Sequence, residues 1–200
     1  MKSKIKNLKS QSGQSLVEMI VAIAIILTGL VGALSLTISN LTGVDEAGTR
    51  VVASNLAKEG VEVVRNFRDT SWLQNLDWDS GLFLGNDFTA IAVFNSVANK
   101  WHLDFTPSAI TDAAAKLYRS PENLYLQDVA PPGGVETQYS RLITLDPICF
   151  NVAAKTENIT GNPCGGGEEK IGIRVKSEVV WTLSSRSRKV ILEDRIYNWR

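Results

Sequence analysis

The longest uncharged segment of the chain runs from Met19 to Val44, and it is the strongest constraint on the fold. As a helix, these 26 residues would extend for about 39 Å, enough to cross the apolar interior of a lipid bilayer. The sequence therefore predicts a transmembrane helix near the N-terminus. The large apolar side chains assigned to it include Met19, Ile20, Val21, Ile25, Ile26, Leu27 and Leu30.

Four lysines and no acidic residue lie within residues 1–13, on the amino side of this helix. Because positively charged flanks stay in the cytoplasm, we expect the N-terminus inside and residues 45–200 outside the cytoplasmic (inner) membrane. A secretory signal peptide has a shorter apolar core, followed by a cleavage site with small residues. The stretch GALSLTIS (32–39) is only a weak candidate for such a site.

Glu18 precedes the apolar run, and a carboxylate there needs a counter-ion. In a plain membrane anchor it would lie near the interface at a modest cost. If the chain is cut between Gly13 and Gln14 instead, the new α-amine lies four residues before Glu18, on the same helical face. In a bundle of such helices, Glu18 of one copy can pair with the amine of the next and set the stagger between them.

This combination of basic leader, Gly13, a glutamate five residues later and an apolar helix resembles the processing site of type IV pilins and pseudopilins. The resemblance implies that a prepilin peptidase cuts after Gly13 and methylates the new amine of Gln14. It also implies that Glu18 guides assembly with other pilin subunits. At the position of Gln14, the family usually has phenylalanine or another apolar residue.

Beyond Asp45 the helical pattern continues to about residue 68. The apolar side chains on one stripe are Val52, Leu56, Val63, Val64 and Phe67. Lys58 with Glu62, and Arg65 with Asp69, are spaced as helical ion pairs. We therefore divide the chain into a leader (1–13), a transmembrane half-helix (14–44), an amphipathic half-helix (45–69) and an extracytoplasmic β-rich domain (70–200).

The remaining segment alternates between strand patterns and loops. Period-two alternation or strand-forming composition predicts strands over residues 88–94, 101–105, 139–150, 171–183 and 189–199. We expect Pro147 to end the third of them. Residues 70–87 and 106–138 are predicted as loops, the second with one short helical turn. The predicted fold class is α+β, a long helix packed on an antiparallel sheet of four or five strands, which the pilin resemblance also implies.

Cys149 and Cys164 are the two cysteines of the chain. In a domain outside the cytoplasm, a disulfide between them is the default, stabilising by about 3 kcal/mol for a loop of this size. Two unpaired thiols are the alternative. Two cysteines and the single histidine, His102, do not make a zinc site.

Other candidate sites are weaker. Asp77, Asp79 and Asp87 form an acidic loop that could hold calcium, but an EF-hand would have glutamate where Phe88 stands. The basic stretch SSRSRK (184–189) could touch phosphate, although a solvated hairpin tip is the simpler interpretation. Beyond residue 13, 17 Lys and Arg face 21 Asp and Glu, which does not support a nucleic-acid partner.

The predicted function is structural, with no enzymatic activity and no cofactor. By resemblance, the chain is a minor pilin or pseudopilin of a type IV pilus or a type II secretion-like filament. One alternative is a filament-tip module that binds DNA or a surface. A further alternative is a single-pass anchored, exported domain that joins no filament.

Overall fold

One long helix, α1 (Ser12–Leu73), begins the described part of the chain in this computed structural model. The chain divides into two structural units, Met1–Ala47 and Gly48–Arg200, and residues of α1 belong to both. For residues 12–15 the backbone alone is described. The described residues are 12–83, 88–95, 98–127, 132–183 and 185–199.

Eight strands follow in the described part of the chain, and together with α1 they confirm the α+β class and the pilin-like architecture. A single 3-10 turn, Ala113–Ala115, lies between the second and third strands. The strands are β1 (Thr89–Asn95), β2 (Lys100–Asp104), β3 (Lys116–Arg119), β4 (Tyr125–Leu126), β5 (Val135–Asn151), β6 (Thr156–Ile159), β7 (Glu168–Leu183) and β8 (Arg186–Tyr197).

Strand β5 is the centre of the antiparallel sheet. One of its edges pairs with β7 along Tyr139–Asn151, and β7 pairs in turn with β8. Its other edge is shared by three shorter strands: β3 pairs near Ser140, β1 near Thr144 and β6 from Ile148 onward. β2 pairs with β1, and β4 pairs with β3. A long central strand thus organises a sheet with the long strands β7 and β8 on one side and short strands on the other.

The alternation predicted for β7 is confirmed. Ile173, Val175, Val179 and Trp181 are buried, whereas the charged residues between them are only partly buried. Because successive side chains of a strand point to opposite faces, the apolar set lies on one face of the sheet. That face carries the main core.

The second half of α1 packs on this face. Ala53, Leu56, Ala57, Gly60 and Val64 are buried at spacings of three and four, as expected for one side of a helix. Val64 joins a core cluster with Ile143 and Leu145 of β5, and Leu56 joins one with Val179 and Trp181 of β7. The predicted stripe is therefore confirmed at Leu56 and Val64, while Val52 and Phe67 are half-buried at its margins.

The helix approaches the sheet closely at Gly60. A Cβ atom at this position would lie 2.5 Å from Ser177 Oγ and 3.4 Å from Ile143 Cδ1. Ser177 is fully buried on β7, and its hydroxyl has no hydrogen-bond partner within the described residues. The missing side chain of Gly60 lets the two backbones pack at this distance.

A buried charge also ties α1 to the sheet, and the sequence patterns do not reveal it. The Arg141 side chain on β5 is fully buried. Its Nη1 donates to the Leu56 carbonyl at 3.1 Å and to Glu59 Oε1 at 2.9 Å, and its Nε donates to Gln127 Oε1 at 2.8 Å. Gln127 Nε2 then donates to the carbonyls of Ala115 and Arg141. The guanidinium group of Arg141 on β5 thus connects the sheet to α1 and to the irregular segment that contains Gln127.

Both predicted loops contain more structure than their composition indicates. The segment predicted as a loop over 70–87 begins with the last residues of α1, and its Trp72, Trp78 and Leu82 are buried. The loop predicted over 106–138 contains β3, β4 and the start of β5, besides the short helical turn expected there. Because β3 and β4 have four and two residues, their own sequences carry little alternation. The count of four or five strands was therefore too low.

Pro147 does not end its strand, contrary to our expectation. β5 continues through it to Asn151, and Pro147 lies opposite Ile173 of β7. On the other edge of β5, β1 pairs up to Thr144 and β6 begins at Ile148. The proline falls in the gap between these partners, where a missing N–H group removes no ladder bond on that edge.

The predicted disulfide between Cys149 and Cys164 is present. Cys149 is fully buried on β5, where it pairs with Asn158 of β6. The bond closes the loop that contains β6 onto the central strand.

Replacing Gly60 with alanine should lower the free energy of unfolding by about 1–2 kcal/mol, because the cost of overpacking exceeds the gain in helix propensity. Urea unfolding of the full chain in detergent micelles, followed by tryptophan fluorescence, would measure the change. Adding Ser177→Ala should restore much of the loss, since it removes the nearest atom. Gly48→Ala is the matched control, because a Cβ at this exposed helical position meets nothing within 4 Å.

Replacing Cys164 with serine should lower the free energy of unfolding by about 2–4 kcal/mol, because the closed loop no longer restricts the unfolded chain. The same urea titration would measure it. Reductant should destabilise the wild-type chain to a similar extent and leave Cys164→Ser unchanged. Equal stability of the oxidised wild type and the variant would contradict this role for the bond.

Candidate assembly site

The residues assigned to processing and assembly lie on the first turns of α1. The backbone is helical from Ser12, so Gly13 and Gln14 belong to its first turn and Glu18 follows one turn after Gln14. Residues 1–11 of the predicted leader lie outside the described residues, as do the side chains of residues 12–15. A backbone separation of four residues places Gln14 and Glu18 on one side of the helix.

From Leu16 to Val44 the large apolar side chains of α1 are exposed. Exposed fractions reach 67 % at Ile26, 68 % at Leu36 and 72 % at Val44. By length and composition, the helix can cross a membrane. A helix that is apolar on all sides is stable in lipid or among other apolar helices, and not in water.

Threonines within this apolar segment bond to the helix itself. The Thr28 hydroxyl donates to the Ala24 and Ile25 carbonyls at 2.9 Å, and the Thr37 hydroxyl donates to the Ala33 carbonyl at 2.9 Å. The Thr42 hydroxyl donates to the Ile38 and Ser39 carbonyls at 3.2 and 2.9 Å. Because these hydroxyls are satisfied internally, they add little cost to burial in an apolar environment.

Glu18 differs from these threonines. It is exposed, and among the residues whose side chains are described it forms no ion pair. A carboxylate in an apolar environment is tolerated mainly when it is paired. The Glu18 carboxylate can therefore pair with a cation from outside the described residues, whether from the same chain or from another copy.

Further along α1, the polar face bonds to the sheet in a way that sequence spacing did not predict. Arg65 does not pair with Asp69: its Nη1 lies 2.5 Å from Glu62 Oε1 and its Nη2 lies 2.5 Å from Asp194 Oδ2 on β8. Asp69 pairs with its neighbour Arg68 instead. The hydrogen bond to Asp194 raises the pKa of Arg65 above its ordinary value, against an opposing effect of burial. The ion pair thus joins helix and edge strand.

The acidic loop forms no metal-binding cluster within the described residues. Asp79 forms an ion pair with Lys170, whose ammonium group also lies 4.4 Å from the ring centroid of Phe83. Asp87 lies outside the described residues. Among the described residues, no group of three or more His, Cys, Asp or Glu side chains could hold a metal ion.

The remaining candidates lie apart from the assembly helix. His102 is exposed on β2. The basic stretch 184–189 forms the connection and first residues of the β7–β8 hairpin, with Ser184 outside the described residues. Lys189 Nζ lies 3.7 Å from Glu178 Oε1 on the neighbouring strand, which offsets part of the positive charge there.

Comparison with known proteins identifies the N-terminal segment. The model of the prokaryotic N-terminal methylation motif matches residues 8–34, the range that contains Gly13, Gln14, Glu18 and the first turns of the apolar helix. No curated protein and no solved structure matches the chain. The chain carries the N-terminal methylation motif that is the signature of type IV pilins and pseudopilins, joined to an α+β fold of the pilin type.

Proposed function

We propose that this chain is a minor pilin or pseudopilin, a structural subunit of a type IV pilus or a type II secretion-like filament. The observation that carries the proposal is the exposed apolar half of α1, which begins beside Glu18 inside the methylation motif. The motif and this helix support a type IV pilin-like subunit. The family is structural, so the action of the protein is assembly.

In this proposal the chain first inserts into the cytoplasmic (inner) membrane as a single-pass precursor. The lysines of residues 1–13 hold its N-terminus in the cytoplasm, where a prepilin peptidase cuts after Gly13. The enzyme then methylates the α-amine of Gln14. Cleavage removes four lysines and creates a new α-amine at the end of the helix.

Assembly follows from the electrostatics of the new terminus. The carboxylate of Glu18 pairs with the α-amine of Gln14 in a neighbouring subunit, and the apolar side chains from residue 16 onward pack between helices. An unpaired charge in that environment is expensive, so the pair also sets the axial register of the subunits. Residues 45–69 continue the helix, and residues 70–200 form the extracytoplasmic domain carried on the filament.

We assign the chain to the minor subunits because it carries a large, loop-rich outer domain on its assembly helix. Its partners are the prepilin peptidase, other pilin subunits and the membrane. The proposed location of the mature protein is an extracellular filament or pseudopilus.

Substitution of Gly13 by valine should block cleavage, because the peptidase accepts only a small residue before the cut. With a prepilin peptidase co-expressed, mass spectrometry should find the wild-type chain starting at Gln14, with or without one methyl group, and the variant retaining residues 1–13. Gly29→Ala, at a position where a Cβ meets nothing within 4 Å, should be processed normally. A wild-type chain that keeps Met1, or that starts near residue 35, would refute the processing step.

Substitution of Glu18 by glutamine should leave cleavage intact and reduce incorporation into filaments by at least about tenfold, since breaking a buried ion pair costs about 3–5 kcal/mol. Immunoblots of sheared filaments, with the mature N-terminus checked by mass spectrometry, would measure both steps. Glu18→Asp keeps the charge and should retain more incorporation than Glu18→Gln. Unchanged incorporation of the glutamine variant would exclude charge pairing as the basis of assembly.

A further inference from the structure

A cavity of about 520 Å³ lies in the unit Gly48–Arg200, between the last turns of α1, the turns that follow it and the β1–β2 hairpin. Its volume is in the range of small-molecule binding sites. The cavity is far along the chain from the assembly motif and contains none of its residues. Its lining combines the aromatic rings of Phe67, Phe94 and Trp101 with several uncharged polar side chains.

The aromatic side is formed mainly by Phe94 and Trp101, which are opposite each other on β1 and β2. Their ring centroids are 5.1 Å apart with planes inclined at 57°. Both are only partly buried, so each ring keeps surface for a ligand. The negative face of an aromatic ring attracts the positive edge of polarised C–H groups. This wall therefore suits a flat face that carries C–H bonds.

The polar side is formed by α1. Asn66 and Thr70 of α1 line the cavity at a spacing of four residues, and Gln74, the residue after the end of α1, continues this spacing. The three side chains therefore follow one face of the helix. Ser71, Ser80 and Asn99 add further hydroxyl and amide groups to the lining. Amide and hydroxyl groups both donate and accept hydrogen bonds. A ligand whose own groups do both, such as a polyol, matches this wall.

The charge of the cavity narrows the ligand class. No carboxylate occurs among the lining residues, and Lys100 is the single charged residue among them. Without a carboxylate among the described lining residues, the site lacks the anionic oxygen ligands that hold a divalent metal ion. A polyanion such as a nucleic acid is held by several cations, and one lysine supplies few such contacts. A neutral ligand is the best match.

We propose that this cavity binds a neutral carbohydrate. The C–H face of a sugar ring lies against Phe94 and Trp101, and its hydroxyl groups bond to Asn66, Thr70 and Gln74. The inference goes beyond assembly, because it gives the outer domain a ligand of its own. It depends on no step of cleavage or polymerisation, so its failure would leave the proposed function intact.

Saturation-transfer NMR on the full chain tests this directly. The protein should be held in lauryldimethylamine oxide micelles, because maltoside detergents carry sugar groups that would compete. The probes are cellobiose, maltose and N,N′-diacetylchitobiose, with an oligothymidylate as the charged alternative. We expect saturable transfer to the ring C–H protons of at least one disaccharide, and none to the oligothymidylate.

Three variants locate the binding site. Asn66→Ala and Gln74→Ala should each weaken binding about fivefold, the effect of losing one hydrogen bond. Asn55→Ala is the matched control, since Asn55 is also an exposed asparagine of α1 but does not line the cavity. Trp101→Phe, which keeps a ring against the core, should retain the fold by circular dichroism and weaken binding.

Three results would overturn the proposal. The first is no saturable binding of any of the three disaccharides. The second is equal affinity of wild type, Asn66→Ala and Gln74→Ala for the disaccharide that binds. The third is saturable binding of the oligothymidylate alone, which would identify the site as one for nucleic acid.

Discussion

The close packing of α1 on the sheet at Gly60 is the constraint on which the unit Gly48–Arg200 depends. With no side chain at this position, the helix backbone approaches Ser177 of β7 more closely than any larger residue would permit. The neighbouring Glu59 and the Leu56 carbonyl then reach the buried guanidinium of Arg141 on β5. Since a buried charge without its partners is costly, these contacts specify which face of the helix meets the sheet. Arg65 and Asp194 connect the same helix to β8.

The first half of the same helix has the opposite character. Its apolar side chains are exposed, its threonine hydroxyls are satisfied by its own backbone, and Glu18 is unpaired among the described side chains. Burial of one large apolar side chain contributes about 1.5–3 kcal/mol, so such a surface strongly favours lipid or other apolar helices over water. One continuous helix therefore joins a segment stabilised within the chain to one that needs external partners. This division is what a membrane-inserted, assembling subunit requires.

Local patterns predicted a large part of this structure. Long regular signals, such as the uncharged run of α1 and the alternation of β7, were sufficient because each concerns neighbouring residues along the chain. Short strands were missed: β3 and β6 are held by pairing with β5, and β4 by pairing with β3, while their own residues show little periodicity. The effect of Pro147 was mispredicted for a related reason. A proline is tolerated within β5 because it lies in the gap between β1 and β6, which local sequence does not reveal. Trp72 belongs to the end of α1, whereas Trp78 and Leu82 lie in the predicted loop and still contribute to the core.

The sequence alone determined the methylation motif, the membrane-competent helix and the α+β class, since leader, glycine, glutamate and apolar run act through their spacing along one helix. The tertiary structure alone decided that Arg141 is buried, that Gly60 is a packing position and that Arg65 bonds to Asp194. It also decided that the end of α1 and the β1–β2 hairpin border an open cavity. The physical reason is distance along the chain: these contacts join residues separated by tens of positions, and only the folded backbone brings such residues together.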